Sequence, residues 1–450
     1  MGNAAKTMSQ PGPFEETPPH AGRHEVLAIQ QRNLRRLLTY VWHCSPFYRR
    51  FYADHGLCER DLGEVGIRDL PPTSKDVLMA HFDCVVTDEQ LRLADLQAWI
   101  ERDTPPASLF ARKFIVLHTS GSSGRMGIFV YDRAAWRRIL ARMNLPHFDD
   151  GADARVVYYG AVHSRFAGAI MCACVLGTRY ALSLLSVLEP HTRNARQLNE
   201  MRPKMLIGYA SSITTLADLA LTGALDIHPK IVVVSGDPFT AEMRRRVESA
   251  WDVPVVNLYS ASESLMIAIS PPGAAEMCVL DDLQIAEVLD EAGREVAAHE
   301  TGRLTLTNLY NLSLPLIRYK MDDFVTKGAL AGSPPFGTIT DICGREHEML
   351  PVRLADGAVD DINPIMLTGC GGFDIPGLER LQFVSRAPER VDILYAGIDS
   401  LEARIGESFR ALLAAKGAAQ TVTFTVSRVD ALAPDSGTGK VPLVRMAPRV

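Results

Sequence analysis

Between residues 204 and 259 three short apolar runs, KMLIG (204–208), KIVVVS (230–235) and VPVVNLY (253–259), alternate with two stretches of about eleven residues that carry helical periodicity. No other feature limits the fold as tightly. The runs are rich in β-branched residues and lack the polar alternation of a strand with one wet face, so both faces must be covered. Such strands, separated by single helices, form a parallel sheet through helical crossovers. The spacing predicts one helix over 211–221, with Ser211 or Ser212 at its cap, and another over 240–251. Ligands of such sheets gather beyond the carboxyl ends of the strands.

The flanking sequence has a different texture. Residues 1–24 are rich in Pro and polar residues and offer few apolar anchors, which reads as a disordered tail. From His24 to Tyr52 apolar residues recur at spacings of three and four, and a second helical region runs from the PPTSKD turn (71–76) to Ile100. The run 166–188 is apolar but broken by Gly177, Arg179 and several serines, which suits a buried helix and strand better than a membrane span. Closely spaced strand runs from 276 to 342 (LQIAEVL, GRLTLTNL, PLIRY, FGTITDI) predict a smaller, largely antiparallel layer. Beyond Gly344, LQFVS, VDILYAG and TVTFTVS frame a helix over 400–413 in a self-contained α+β pattern. The expected fold class is α/β: a large N-terminal domain over 25–344 with parallel α/β sheets plus a smaller β layer, and a small α+β C-terminal domain over 345–450.

Charge and cysteine content narrow the function classes. Lysine and arginine number 47 against 53 aspartates and glutamates, giving 47 − 53 = −6, so nucleic acid is not an expected partner. The eight cysteines form no CxxC pair, and the close pair Cys172 and Cys174 lies in an apolar run. This is the usage of a reduced cytoplasmic protein, not of a disulfide framework or zinc site. Cys278 with a distant His is the one arrangement left open for a metal. Residues 1–19 are polar and do not read as a secretory leader, and no membrane partner is expected. The hydrophobic content is compatible with a monomer or a homodimer.

Five segments carry residue types suited to chemistry. HTSGSSGRMG (118–127) joins two apolar runs, and its glycines and hydroxyls can turn several donors onto one anion. It is not a Walker A loop, because GxxxxGK[ST] is absent and a strand follows; a Ser/Gly hairpin tip without a ligand has the same composition. NLYSASES (257–264) ends a predicted parallel strand. There Tyr259 could stack a base, Ser262 bind a phosphate oxygen and Glu263 hold Mg²⁺, although a helix N-cap with an early Glu reads the same way. In PLIRYKMDDF (315–324) Asp323 can accept two ribose hydroxyls, and in CGRE (343–346) Arg345 can approach the same sugar or a phosphate. Surface ion pairs are the commoner use of such residues. DSGTGKVPLVRM (435–446) holds Lys440 in a glycine-flexible loop, where a solvated lysine is the usual finding. His163, in YYGAVHSRFAG, could touch a substrate carboxylate or serve as a loop histidine.

Taken in this order, the five segments resemble the adenylate-forming superfamily of acyl-CoA synthetases and related ligases, and within it the phenylacetate–CoA ligase branch. The resemblance spans from YVWHCSPFYRRFY (40–52) to Lys440. It implies two half-reactions. A carboxylate attacks the α-phosphate of ATP with Mg²⁺ present, giving an acyl-adenylate and pyrophosphate, and a thiol or amine then displaces AMP. By the family's pattern Thr119, Ser120, Gly121, Ser122, Ser123, Gly124 and Arg125 form the phosphate loop, with Arg where Lys is usual. Ser235, Gly236, Asp237 and Pro238 line the adenine; Tyr259 lies beside its ring, followed by Ser260 where the family has Gly. Ser262 supplies the α-phosphate hydroxyl and Glu263 the Mg²⁺ carboxylate. Asp323 binds ribose with Arg345 as its partner, and Lys440 stabilises charge in the adenylation transition state. Tyr158, Tyr159, His163, Phe166, Tyr209 and Ala210 are expected in the wall of the acid pocket.

The resemblance further implies that the small C-terminal domain is mobile and rotates between half-reactions about 344–348, with His347 at the pivot. The implied substrate is an aromatic or other compact carboxylic acid, with unusual oxyacids also known in the superfamily. The implied cofactors are ATP and Mg²⁺. Residues 344–364 read GREHEMLPVRLADGAVDDINP, longer than the family's usual Asp-rich hinge and Gly-containing hairpin, which leaves the acceptor open among CoA, a carrier-protein thiol and an amine. Two other classes compete. A non-catalytic nucleotide-binding scaffold would be favoured by loss of Lys440, Glu263 or Asp323, and a phosphotransferase would need a Walker-type Lys; the three residues are present and that lysine is absent.

Overall fold

Parallel strands joined by helices form one half of a single broad sheet. A computed structural model describes residues 14–447 apart from 103, 120–125, 143–150, 152, 164, 332–334, 346–347, 363, 370–374, 376 and 437. A hairpin of β1 (Phe114–His118) and β2 (Ile128–Asp132) comes first. Then β3 (Arg155–Gly160), β4 (Ala181–Ser186), β5 (Met205–Tyr209), β6 (Ile231–Ser235) and β7 (Val255–Tyr259) pair in parallel in the order β4-β3-β5-β6-β7. After β7 the chain turns back, and β8 (Ala268–Ile269), β9 (Met277–Val279), β10 (Gln284–Leu289), β11 (Thr301–Asn308), β12 (Tyr319–Lys327) and β13 (Thr338–Arg345) continue the sheet antiparallel, in the order β8-β9-β13-β12-β11-β10. Among the described residues this makes eleven strands. The antiparallel part joins the parallel part edge to edge because β8 pairs back on β7, Leu258 opposite Ile269.

Period-two alternation divides the parallel strands between two cores. Val157, Tyr159, Leu206, Val232 and Val234 pack on one face with the helices His191–Met201, Ala210–Leu221 and Ala241–Trp251. Val156, Tyr158, Ile207, Val233 and Val256 point into the larger core, which also takes in β1, β2 and the helix Arg23–Cys44. Full burial of each such aliphatic side chain contributes about 1.5–3 kcal/mol, which is why both faces of these strands must be apolar. Thr240 caps the helix Ala241–Trp251 by accepting the Met243 amide at 3.2 Å. The helix Ala210–Leu221 differs from expectation: Tyr209 takes the cap position, and the Ser211 hydroxyl donates to Asp237 at 2.6 Å instead of capping.

The tail expected over 1–24 is anchored where it is described. Phe14 is buried with the guanidinium groups of Arg36 and Arg138 at 5.9 and 4.9 Å from its ring. The Glu15 amide and carbonyl bond the Asn33 side chain at 3.0 and 2.9 Å. One aromatic anchor and one buried amide do this without any periodic signal. Residues 1–13 lie outside the described residues.

A separate apolar core is built from residues between Leu350 and Val444. It includes the hairpin β14 (Leu350–Arg353) and β15 (Val359–Ile362), and the sheet of β16 (Leu378–Ala387), β17 (Arg390–Gly397), β18 (Thr423–Arg428) and β19 (Val444–Met446) with the helix Glu402–Ala415. The β14–β15 turn contains Gly357 at φ +87°, a conformation that favours glycine. Among the described residues, no helix is long and apolar enough to cross a membrane, and no group of three or more His, Cys, Asp or Glu residues is placed to hold a metal.

Candidate active site

The strands β5, β6 and β7 end in step, Tyr209 beside Ser235 and Ser235 beside Leu258. The segments leaving these ends therefore face one space, a cavity of about 430 Å³. Its wall includes Ser235, Gly236, Asp237 and Pro238 after β6, and Tyr259, Ser260, Ser262 and Glu263 after β7. Thr119, Asp323, Arg345 and Lys440 reach the same cavity from β1, β12, β13 and the loop before β19.

Asp323 organises one end. Its buried carboxylate accepts the Tyr259 hydroxyl at 2.8 Å and Arg345 Nε at 3.0 Å. The pairing is set by register, because Asp323 and Arg345 are directly opposite on β12 and β13. The Asp323 charge holds the Arg345 guanidinium in its charged form, and burial pushes the Tyr259 phenol far above its ordinary range. Glu263 sits nearby, and burial together with the Asp323 charge raises its carboxyl to about 7.

The mouth of the β1–β2 hairpin forms the other end. Thr119 and Gly127 clamp it: the Thr119 amide donates to the Gly127 carbonyl at 2.9 Å, and the Gly127 amide to the Thr119 hydroxyl at 3.0 Å. Ser120, Gly121, Ser122, Ser123, Gly124 and Arg125 lie outside the described residues. The Ser262 hydroxyl donates to the His118 carbonyl at 3.3 Å, which fixes it beside the hairpin. Burial lowers His118 below the ordinary imidazole range. In the neutral ring Nδ1–H faces the Thr119 carbonyl at 2.9 Å, and Nε2 accepts the Arg165 amide at 3.2 Å.

Lys440 comes from the far end of the sequence. Its ammonium lies 5.3 Å from the Tyr209 ring centre, a cation–π arrangement. Burial, then the neighbouring Arg345 charge, lowers it to about 8. Its loop is held by Asp435, whose carboxylate accepts the Thr438 amide and hydroxyl at 2.8 and 2.9 Å. Gly236, at φ +84°, lets the chain pass under this group; a Cβ there would stand 2.7 Å from the Tyr209 ring.

Three of the expected acid-pocket residues line the cavity: Tyr158, Phe166 and Tyr209. Three do not. Tyr159 points to the opposite face of the sheet, its hydroxyl 2.6 Å from His191 Nδ1, because adjacent strand residues alternate. Ala210 is fully buried as the first residue of its helix. His163 is exposed and is not part of the described cavity wall; its ring packs edge-on against Phe166 at 5.3 Å. His347, the expected pivot, lies outside the described residues.

Three residues not singled out in the sequence also reach the cavity. Arg380, on β16, donates to Asp237 at 2.9 Å and to the Val441 carbonyl at 2.6 Å. Lys75, from the PPTSKD turn, bonds Asp322 at 2.9 Å. Glu348 accepts the Arg345 amide at 2.9 Å and the Leu443 amide at 2.6 Å. Only Lys75 had a signal in the sequence, a lysine at a turn entering a helix, and it marked structure, not chemistry.

No family model matches the chain. It is 25% identical over 354 residues to a phenylacetate-coenzyme A ligase of Pseudomonas putida, covering 73% of each chain. It is 26% identical over 359 residues to the phenylacetate-coenzyme A ligase of Thermus thermophilus, covering 74% of this chain and 73% of that one. The fold is similar to a crystal structure of 2-hydroxyisobutyryl-CoA ligase in the postadenylation state in complex with R3-HIB-AMP, with a TM-score of 0.68 and 20% identity over 95% of this chain and 91% of that chain.

Proposed function

From a chain that is a relative of the phenylacetate–CoA ligases within the adenylate-forming superfamily, we propose an ATP-dependent ligase that activates a carboxylic acid as its acyl-adenylate and passes the acyl group to a thiol such as CoA. One observation carries the reading: segments spread from Thr119 to Lys440 converge on one cavity whose wall offers a buried Tyr, buried carboxylates, and the cations Arg345 and Lys440.

In the first half-reaction a carboxylate oxygen of the acid attacks the α-phosphorus of ATP. The bond from that phosphorus to the bridging oxygen breaks, and pyrophosphate leaves with the electron pair. Asp323 accepts the ribose hydroxyls, steadied by Arg345, and Tyr259 lies against the adenine. The segment Ser235–Pro238 with Ser260 forms the remaining nucleotide wall. Ser262 and the phosphate loop from Thr119 through Arg125 donate to phosphate oxygens. Lys440 offsets the charge that develops on the in-line phosphate, in a site where burial strengthens the interaction. Glu263 would hold Mg²⁺ together with the polyphosphate, since Mg²⁺ commonly takes one or two carboxylates and phosphate oxygens, and the ion would neutralise charge there. In the second half-reaction a thiolate attacks the acyl carbon and AMP departs. Residues 345–450 act in this scheme as a small mobile domain whose rotation about 344–348 withdraws Lys440, and the likeness to coenzyme A ligases supports a thiol acceptor.

The relatives' activity on phenylacetate supports an aryl acid as substrate class. Pyrophosphate release with Mg·ATP and a panel of aryl and short acyl acids, with and without CoA, tests the reading. Acid-dependent release that proceeds to a thioester on adding CoA is expected. Release unaffected by CoA would replace the thiol with an amine or carrier protein, and no release with any acid would sink the ligase.

A further inference from the structure

The substrate's own chemistry is written in the part of the cavity that the nucleotide leaves free; this rests on the adenylation reading above. Along the sheet order β3-β5-β6-β7, neighbouring strands are spaced by about 4.8 Å. The nucleotide wall lies at the ends of β6 and β7, and Lys440 stands over Tyr209 at the end of β5. The acid must therefore run from Lys440 toward the end of β3, between Tyr158, Tyr209, Phe166 and Gly168.

That end is built around Tyr158. The side chain is 2% exposed, and its hydroxyl end is wedged between Gly160 and Gly168, where a Cβ on either glycine would overlap it. The cavity is thus closed by a phenol that two glycines admit. Tyr209 lines the cavity beside Tyr158, and its hydroxyl oxygen accepts the Ala161 amide at 3.3 Å. Phenylalanine would close the same space without the desolvation cost of burying hydroxyls. A phenol hydroxyl that accepts an amide still has its own proton to donate, so Tyr209 keeps a donor after bonding Ala161.

We propose that Tyr158 sets the length of the acid and, with Tyr209, hydrogen-bonds an oxygen that the acid carries at the end remote from its reacting carboxylate. The substrate class is a hydroxy- or oxo-acid of limited length. A site built to bond a substrate oxygen discriminates strongly against the analogue that lacks it, because the buried hydroxyls are then left unpaired.

Acid-dependent exchange of pyrophosphate into ATP tests this with two matched pairs, 4-hydroxyphenylacetate against phenylacetate and 3-hydroxybutyrate against butyrate. The wild-type chain is expected to favour the oxygenated member of one pair about tenfold to a hundredfold in kcat/KM, and which pair responds identifies the skeleton as aryl or aliphatic. Tyr158→Phe, which keeps the ring and its packing, should collapse that preference toward unity, with the oxygenated member losing more than the apolar one. Tyr158→Ala should admit longer acids. Equal rates within both pairs, or a preference that survives in Tyr158→Phe, overturns the proposal and leaves adenylation standing. Exchange with no acid at all overturns the adenylation reading and this proposal with it.

Discussion

Glu348 and Leu443 are joined across the molecule by a hydrogen bond of 2.6 Å from the Leu443 amide to one carboxylate oxygen, while the other oxygen accepts the Arg345 amide at 2.9 Å. The strand end that carries Arg345 is thereby tied to the segment that follows Lys440. Charge-assisted bonds of this kind contribute about 1.5–3 kcal/mol each. Glu348→Ala removes both, so Lys440 should be held less firmly. Single-turnover pyrophosphate release is expected to slow about tenfold, with a smaller change in KM for ATP. An unchanged rate would show that the bond has no part in placing the lysine.

Asp323 makes a prediction about the sugar. Its carboxylate already accepts Tyr259 and Arg345, and in the proposed complex it also accepts the ribose hydroxyls. Asp323→Asn keeps the size but turns an amide toward Arg345 and removes an acceptor. KM for ATP should rise about tenfold to a hundredfold, with a smaller effect on kcat. Wild-type discrimination between ATP and 2′-deoxy-ATP should shrink in the variant. A variant that separates the two nucleotides as well as wild type does would remove Asp323 from ribose recognition.

Arg380 joins the two apolar cores through Asp237, and Arg246 makes a second link to Glu379. The Asp237 carboxylate is almost wholly buried, and losing Arg380 leaves it, among the described residues, with hydrogen bonds from the Ser211 hydroxyl and amide and the more distant Lys440 charge. Breaking a buried pair from one side costs about 3–5 kcal/mol. If residues 345–450 rotate between half-reactions, that loss falls on the arrangement in which Lys440 meets the nucleotide. Arg380→Ala should slow acyl-adenylate formation by at least about tenfold, yet leave thioester formation from supplied acyl-adenylate near the wild-type rate. Equal losses in both half-reactions would contradict a role specific to this arrangement.

The parallel half of the sheet was readable because its strands need cover on both faces, and continuous Val and Ile runs announce that need. Tyr259, Ser262 and Glu263 were readable as a strand-end cluster for the same reason, since a strand's carboxyl end has a fixed place in such a sheet. Tyr159 adjoins Tyr158 in sequence and so suggests the same pocket, but strand alternation sends it to the other face. His163 lies in a loop, where no periodicity fixes direction. Arg380 and Asp237 are 143 residues apart in sequence, and their contact follows from how two separately built cores meet, which no local pattern encodes. Glu348 was likewise hidden, as its partners are backbone amides of no particular residue type.

The pH dependence of adenylation follows from Glu263 and Lys440 together. Burial and the Asp323 charge raise Glu263 to about 7, so its carboxylate forms above that pH. Burial and Arg345 lower Lys440 to about 8, so its ammonium persists below that pH. The competent pair of charged groups is therefore most abundant between the two values, and kcat/KM for ATP, which reports the free enzyme, should be a narrow bell. Bound polyphosphate adds negative charge beside Lys440 and stabilises the ammonium, so the alkaline limb of kcat should lie higher than that of kcat/KM. Lys440→Arg keeps its charge throughout and should lose the alkaline limb. Lys440→Ala should lower the rate about a hundredfold to a thousandfold and abolish the same limb. Profiles of kcat and kcat/KM for the three proteins decide it; an alkaline limb that persists in Lys440→Arg would assign the titration to another group.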